Sequence, residues 1–211
     1  MKRLLLAVVL LAATASASLA GGSYLGIQLL HAEADLAGEF GNGFAPAYDH
    51  SETGIKIEYW NMLTEDYAFN GSYSFGYFSE ENKPGTNASS GAGKFTYSQR
   101  SWSVRVGGDR VVKLGDRTSL FLGPGLEYWN GKAKFEDDTP PASSYETGSV
   151  SRISLSGRIG AHMMIGEAWG LTMQAGHKIG RASIDEAGAK STWWPSSLDA
   201  SGGLLFRFGG Y

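Results

Sequence analysis

The chain has 211 residues, no cysteine, 18 basic against 21 acidic residues and a net charge of −3. That mildly acidic balance argues against nucleic acid as a partner, and the absence of cysteine excludes a disulfide framework and a thiol-anchored lipid. Thirty glycines alongside 12% aromatic residues instead suit β-structure, with glycine where the backbone turns or crowds and rings on strand faces.

Lys2 and Arg3 precede an apolar run from Leu4 to Ala13, and Ser18-Leu19-Ala20 places small residues at both positions a signal peptidase reads. Residues 1–20 therefore read as a secretory signal peptide cut after Ala20, leaving residues 21–211 as one exported β-barrel domain. A retained anchor is the alternative, but no charged stop-transfer segment follows. Loss of Lys2 and Arg3 takes the net charge from −3 to −5. Beyond residue 20 no apolar run approaches the roughly 20 residues of a membrane helix.

Eight segments then alternate at a period of two, the spacing at which successive side chains of a strand point to opposite faces. The first, Ser23–His31, sets Leu25, Ile27 and Leu29 against Tyr24, Gly26 and Gln28; a long polar connection runs from Ala32 to Ser51. The second, Gly54–Met62, sets Ile55, Ile57 and Tyr59 against Lys56, Glu58 and Trp60. After the tight connection 63–66, the third segment, Tyr67–Phe78, opposes Tyr67, Phe69, Tyr73, Phe75 and Tyr77 to Ala68, Asn70, Ser72, Ser74 and Gly76. A loop rich in Asn, Pro, Gly and Ser fills Ser79 to Lys94.

The fourth segment, Tyr97–Val112, puts Trp102, Val104 and Val106 opposite Ser101, Ser103 and Arg105. A bulge at Gly107-Gly108 would exchange the faces beyond it, so the pattern leaves their facing open. Past the turn at 113–117, the fifth segment, Thr118–Trp129, opposes Leu120, Leu122, Leu126 and Tyr128 to Phe121, Gly123, Gly125, Glu127 and Trp129. Pro124 lies within it, where a strand interior normally excludes proline. The long connection Asn130 to Ser149 precedes the sixth segment, Val150–Ile165, with Ile153, Leu155, Ile159, Ala161 and Met163 opposite Arg152, Ser154, Ser156, Arg158 and His162. A third tight turn, 166–168, leads to the seventh, Trp169–Gly180, and a last long connection, Arg181 to Ser196, to the closing strand.

That strand carries Leu198, Ala200, Gly202, Leu204, Phe206 and Phe208 on one face and Asp199, Ser201, Gly203, Leu205 and Arg207 on the other. An apolar ladder closing on phenylalanine resembles the last strand of bacterial outer-membrane β-barrels, where it is read by the barrel-insertion machinery; here Gly209, Gly210 and Tyr211 follow the phenylalanine. Over the whole exported length the pattern resembles the small eight-stranded outer-membrane barrels, the transmembrane domain of outer-membrane protein A and its relatives. The expected fold is all-β, an eight-stranded antiparallel up-and-down transmembrane barrel with three tight turns and four long loops. Closure removes the sheet edges and satisfies every backbone group in lipid. Both termini then fall on the short-turn side, in the periplasm, and the resemblance implies outer-membrane lipid and lipopolysaccharide as surroundings. No second domain and no peptidoglycan-binding tail is expected.

One face repeatedly holds ionisable residues in mid-strand: Lys56, Glu58, Arg105, Glu127, Arg152, Arg158, Lys178, Asp199 and Arg207. Facing lipid at the bilayer centre, Arg or Lys costs about 2–4 kcal/mol, so these nine are expected to form a polar network in the lumen. Eight strands enclose little more than side chains, which favours a structural network over an ion path. Glu127 and Arg158, on adjacent strands with the same facing, are expected to pair directly or through one neighbour.

Candidate chemistry is thin. His31 and His50 belong to the first loop region, His162 to the inner face and His177 to the outer face. Lipid A deacylases of the outer membrane hold a His and a Ser two residues apart, whereas Ile179 follows His177 at that spacing and Ser183 comes later. The run Glu136-Asp137-Asp138 suits calcium less well than solvent, because calcium needs oxygens converging from several positions. Trp193-Trp194 reads as aromatic belt before sugar platform. Asn87-Ala88-Ser89 matches a glycosylation acceptor, which the resemblance to bacterial proteins discounts. The reading is a non-enzymatic barrel with a structural or surface-interaction role through four external loops, with no cofactor or metal and an unknown external ligand. The alternatives are a membrane-embedded lipid-modifying enzyme and a soluble lipocalin-like carrier, in which the two faces would exchange.

Overall fold

The computed structural model describes residues 22–35, 49–82, 95–137, 143–146, 149–186 and 189–208. They form ten strands: β1 (Ser23–Asp35), β2 (Asp49–Met62), β3 (Tyr67–Asn82), β4 (Phe95–Lys113), β5 (Thr118–Asp137), β6 (Ser143–Glu146), β7 (Val150–Met164), β8 (Trp169–Glu186), β9 (Ala189–Trp193) and β10 (Ser196–Phe208). Eight of them run round a closed antiparallel ring, each paired with the next, with β8 joined to β10 and β10 to β1. The short β6 and β9 only extend two hairpins, on residues 134–137 of β5 and 182–186 of β8. The expected signal peptide, most of the four long loops and the last three residues lie outside the described residues.

The three tight turns fall together at one end, closed by backbone bonds from Leu63 and Thr64 to Tyr67, Leu114 to Thr118 and Ile165 to Trp169. A walk along the register leaves β1 at Leu25, crosses β4 at Val106 and β7 at Leu155, and returns to β1 at Asp35, ten residues higher. Such a stagger over eight strands tilts them by about 40° and leaves a bore that side chains fill.

One local expectation is corrected, and the facing left open beyond Gly107-Gly108 is fixed. Several strands outrun their sequence segments at the long-loop end, so Glu136 and Asp137 belong to β5, where Glu136 accepts from Lys134. Gly107-Gly108 forms no bulge. The β4–β5 register is the same on both sides of it, from Gly107 opposite Gly125 to Arg110 opposite Leu122. What is lost there is pairing, because Pro124 has no N–H to give β4; it keeps its place opposite Gly157 on β7. The walls also press together at this point. A Cβ on Gly123 would lie 1.9 Å from the Gly108 carbonyl oxygen, so only glycine fits.

Candidate functional site

Strict alternation sends every second side chain of each strand into the barrel, and most of what it sends is polar. On β7, Leu155 is 61% exposed on the outside while Ser156 is 4% exposed within. The described lumen holds five acids (Glu52, Glu58, Asp109, Glu127 and Asp199) and five bases (Lys56, Arg105, Arg152, Arg158 and Lys178), so its formal charge cancels.

The lower half of the network, nearer the short turns, centres on Asp109 and Glu58. Asp109 Oδ1 accepts from Arg158 Nε at 3.1 Å, and Oδ2 accepts from Asn70 at 2.9 Å, Trp60 Nε1 at 3.3 Å and Arg158 Nη2. Arg158 also donates to Glu58 and, at 2.9 Å, to Gln174. Glu58 receives Gln28 at 3.2 Å, Gln174 at 2.7 Å and the Lys56 ammonium at 3.1 Å. The upper half centres on Glu127, which takes Lys178 at 2.7 Å and Arg152 at 3.6 Å; Lys178 reaches on to Asp199 at 3.1 Å. Arg105 lies between the halves, donating to Ser156 at 3.0 Å and to Asn70. Its guanidinium lies flat on the wall, where a Cβ on Gly125 would come within 2.6 Å of it.

Below the network the lumen is closed by an apolar plug of Trp60, Phe121, Val111, Ala68 and Leu205. His162 sits in it with its ring centre 4.6 Å from those of Trp60 and Phe121. Arg158 ties plug to network by lying 5.1 Å over the Phe121 ring. Beneath the plug opens a vestibule of about 740 Å³, ringed by the short turns and by Tyr24, Met62 and Arg207.

Of the nine lumen residues expected from the sequence, Lys56, Glu58, Arg105, Glu127, Arg152, Arg158 and Lys178 are buried inside, and Asp199 joins them through Lys178. Arg207 does not: it has the same facing but lies beyond the Leu205 plug, exposed at the vestibule. Glu127 and Arg158 do not pair either. The register puts Arg158 opposite Gly123, four residues from Glu127, and each belongs to its own half of the network. Asp109 and Glu52 were missed, though both continue an inward alternation that Arg105 and Lys56 begin. His177 faces outward and exposed, next to Gly157 and Leu198, and Ser183 is bonded to Ser151 at 3.2 Å. Trp194 is 74% exposed, and His50, Asn87 and Asp138 have no described side chain.

The outer surface decides what surrounds the barrel. Leu29 is 74% exposed, Met173 67%, Ile153 65% and Leu198 59%, and such residues cover every strand of the wall. An apolar band of that extent outside a charged interior is the inverse of a soluble carrier and requires lipid. Residues 4–201 match the model of the outer membrane protein beta-barrel domain family. The chain belongs to that family. It is thus an outer-membrane β-barrel, and the carrier reading falls with the assignment of faces.

Solved structures show the same fold at low identity. The outer membrane protein OprG from Pseudomonas aeruginosa is similar with a TM-score of 0.56 and 14% identity, over 92% of this chain and 99% of that one. The attachment invasion locus protein Ail of Yersinia pestis aligns at 0.52 and 15%, over 89% and 99%. A major outer membrane protein from Thermus thermophilus aligns at 0.52 and 12%, over 88% and 99%. No curated protein sequence matches this one.

Proposed function

We propose that this outer-membrane barrel is a rigid, non-catalytic scaffold that works at the cell surface through its four long loops, with the short turns and both termini in the periplasm. The observation that carries the reading is the filled lumen. Eight charged side chains are ion-paired with one another, Glu52 and Arg105 are hydrogen-bonded to neutral neighbours, and an apolar plug closes the end they approach, which favours a pillar over a conduit. Interaction then falls to the connections, since loops held by a rigid scaffold are where binding concentrates. The orientation follows the general rule that outer-membrane barrels keep short turns on the periplasmic side.

Single cysteines test it, because the chain has none of its own. With a membrane-impermeant maleimide on intact cells, Asn87→Cys in a long connection should label and Gly115→Cys in a short turn should label only after permeabilisation. Labelling of position 115 alone would invert the orientation and remove the loops from the surface.

A further inference from the structure

At the long-loop end, the outer face of β4 and β5 carries two cations set against each other. Arg100 lies directly opposite Lys132, and both side chains point outward and are exposed. Like charges opposed across a strand pair are destabilising. Among the described residues neither has an ion-pair partner, whereas Lys134, the next outward residue, is neutralised by Glu136.

What lies beside them is aromatic. Tyr77 is opposite Arg100 on β3, and one outward position nearer the membrane Trp102 is opposite Phe75. The Trp102 ring is 5.4 Å from Tyr128 and stacks at 6.4 Å on Tyr73. Tyr and Trp collect at the headgroup level of a bilayer, so this cluster sets the depth and the two cations sit just beyond it, where lipid phosphates lie.

We propose that Arg100 and Lys132 form a binding site for a phosphate-bearing lipid of the leaflet at the long-loop end. The phosphate bridges the two cations, Arg100 offering a planar fork and Lys132 a point charge. The acyl chains run down over Trp102, Tyr73 and Tyr128. A lipid fits better than a soluble anion because cations and apolar rings form one continuous strip. The site lies on the wall and does not depend on what the loops bind.

The test uses the full chain folded in uncharged detergent and titrated with bis-phosphorylated lipid A or with its dephosphorylated form carrying the same acyl chains. The phosphorylated lipid should bind at least tenfold more tightly. Arg100→Gln and Lys132→Gln should each weaken it about five-fold and together about thirty-fold, from the contribution of a cation near a lipid surface. Arg110→Gln, an outward cation at the opposite end, should change nothing. Without lipid, either single substitution should raise the temperature at which the folded band is lost on a semi-native gel, because a repulsion is removed; this also shows that the variants fold. Equal affinity for the two lipids, full affinity in the double variant, or displacement by inorganic phosphate at comparable concentration would each overturn the site.

Discussion

Replacing Asp109 with alanine removes the carboxylate on which Arg158, Trp60 and Asn70 converge. The residue is 1% exposed, so no water compensates the loss. Removing one partner of a buried ion pair costs about 3–5 kcal/mol, since the remaining charge is stranded. Trp60 and Asn70 also lose an acceptor, at about 1 kcal/mol each, while Arg158 keeps Glu58 and Gln174, which offsets part of the loss. The expected cost is therefore about 3–5 kcal/mol, read from urea unfolding in vesicles or from the temperature at which the folded gel band disappears. Asp109→Asn retains the shape and one acceptor oxygen, and should cost about half as much. Glu65→Ala, which removes an exposed partner 3.7 Å from Lys113, should change nothing measurable. An Asp109→Ala protein within about 1 kcal/mol of the parent would refute the reasoning, since it would show that the lower network holds Arg158 without this carboxylate.

Glu127→Ala and Lys178→Ala, whose charges meet at 2.7 Å, should be markedly non-additive in the same unfolding assay, whereas Glu127→Ala and Arg158→Ala should add within about 0.5 kcal/mol. Gly125→Ala drives a methyl group into the Arg105 guanidinium and should cost about 1–3 kcal/mol, as overpacking does; an unchanged unfolding midpoint would mean the guanidinium is free to move. In the folded protein, Leu155→Cys should react with a lipid-soluble maleimide and not with a charged one, and Ser156→Cys should resist both; rapid charged labelling at 156 would contradict the filled lumen. Planar bilayers containing the protein should show no conductance steps, and steady openings would replace the pillar with a channel. N-terminal sequencing of the exported chain should begin at Gly21; a chain that keeps Met1 would point to a retained anchor.

How far the sequence could be read depended on how much of each feature is local. Alternation is local, so the facing of Lys56, Glu58 or Arg158 was legible from neighbours one or two residues away. The facing of Asp109 was equally determined, but two glycines stood before it, and a glycine pair is compatible with either a bulge or straight passage. The structure passes straight because Pro124 lets β4 and β5 forgo pairing without shifting register. Partners inside the lumen were not legible. They depend on stagger round the ring, which the order of strands does not fix. Adjacent strands and like facing suggested Glu127 with Arg158, yet the register offsets them by four residues, and Arg158 instead reaches across the bore to Glu58 and Asp109. The apolar plug was equally hidden, since Trp60 on β2 meets Phe121 and His162, on the paired β5 and β7, only on closure.

The network has a consequence for how the wall finds its register. Replacing a buried ion pair by apolar residues is often neutral or stabilising, so stability alone is a weak reason for ten charges in a narrow lumen. Register is a stronger one. A slip of one residue turns a whole strand inside out. For β7 it would carry Arg152 and Arg158 from the lumen to the lipid face, at about 2–4 kcal/mol each near the midplane, and draw Leu155 and Ile159 into a polar interior. A slip of two keeps the facing but moves Arg158 by about 7 Å along the strand, away from Glu58 and Asp109. An apolar lumen would penalise neither error as steeply, because leucine tolerates both lipid and core. Since Lys56 and Glu58 on β2, Asp109 on β4 and Arg158 on β7 must arrive together, the lower cluster checks the alignment of three strands that are not neighbours. That correlation across the bore is what a hydrogen-bond ladder between adjacent strands lacks.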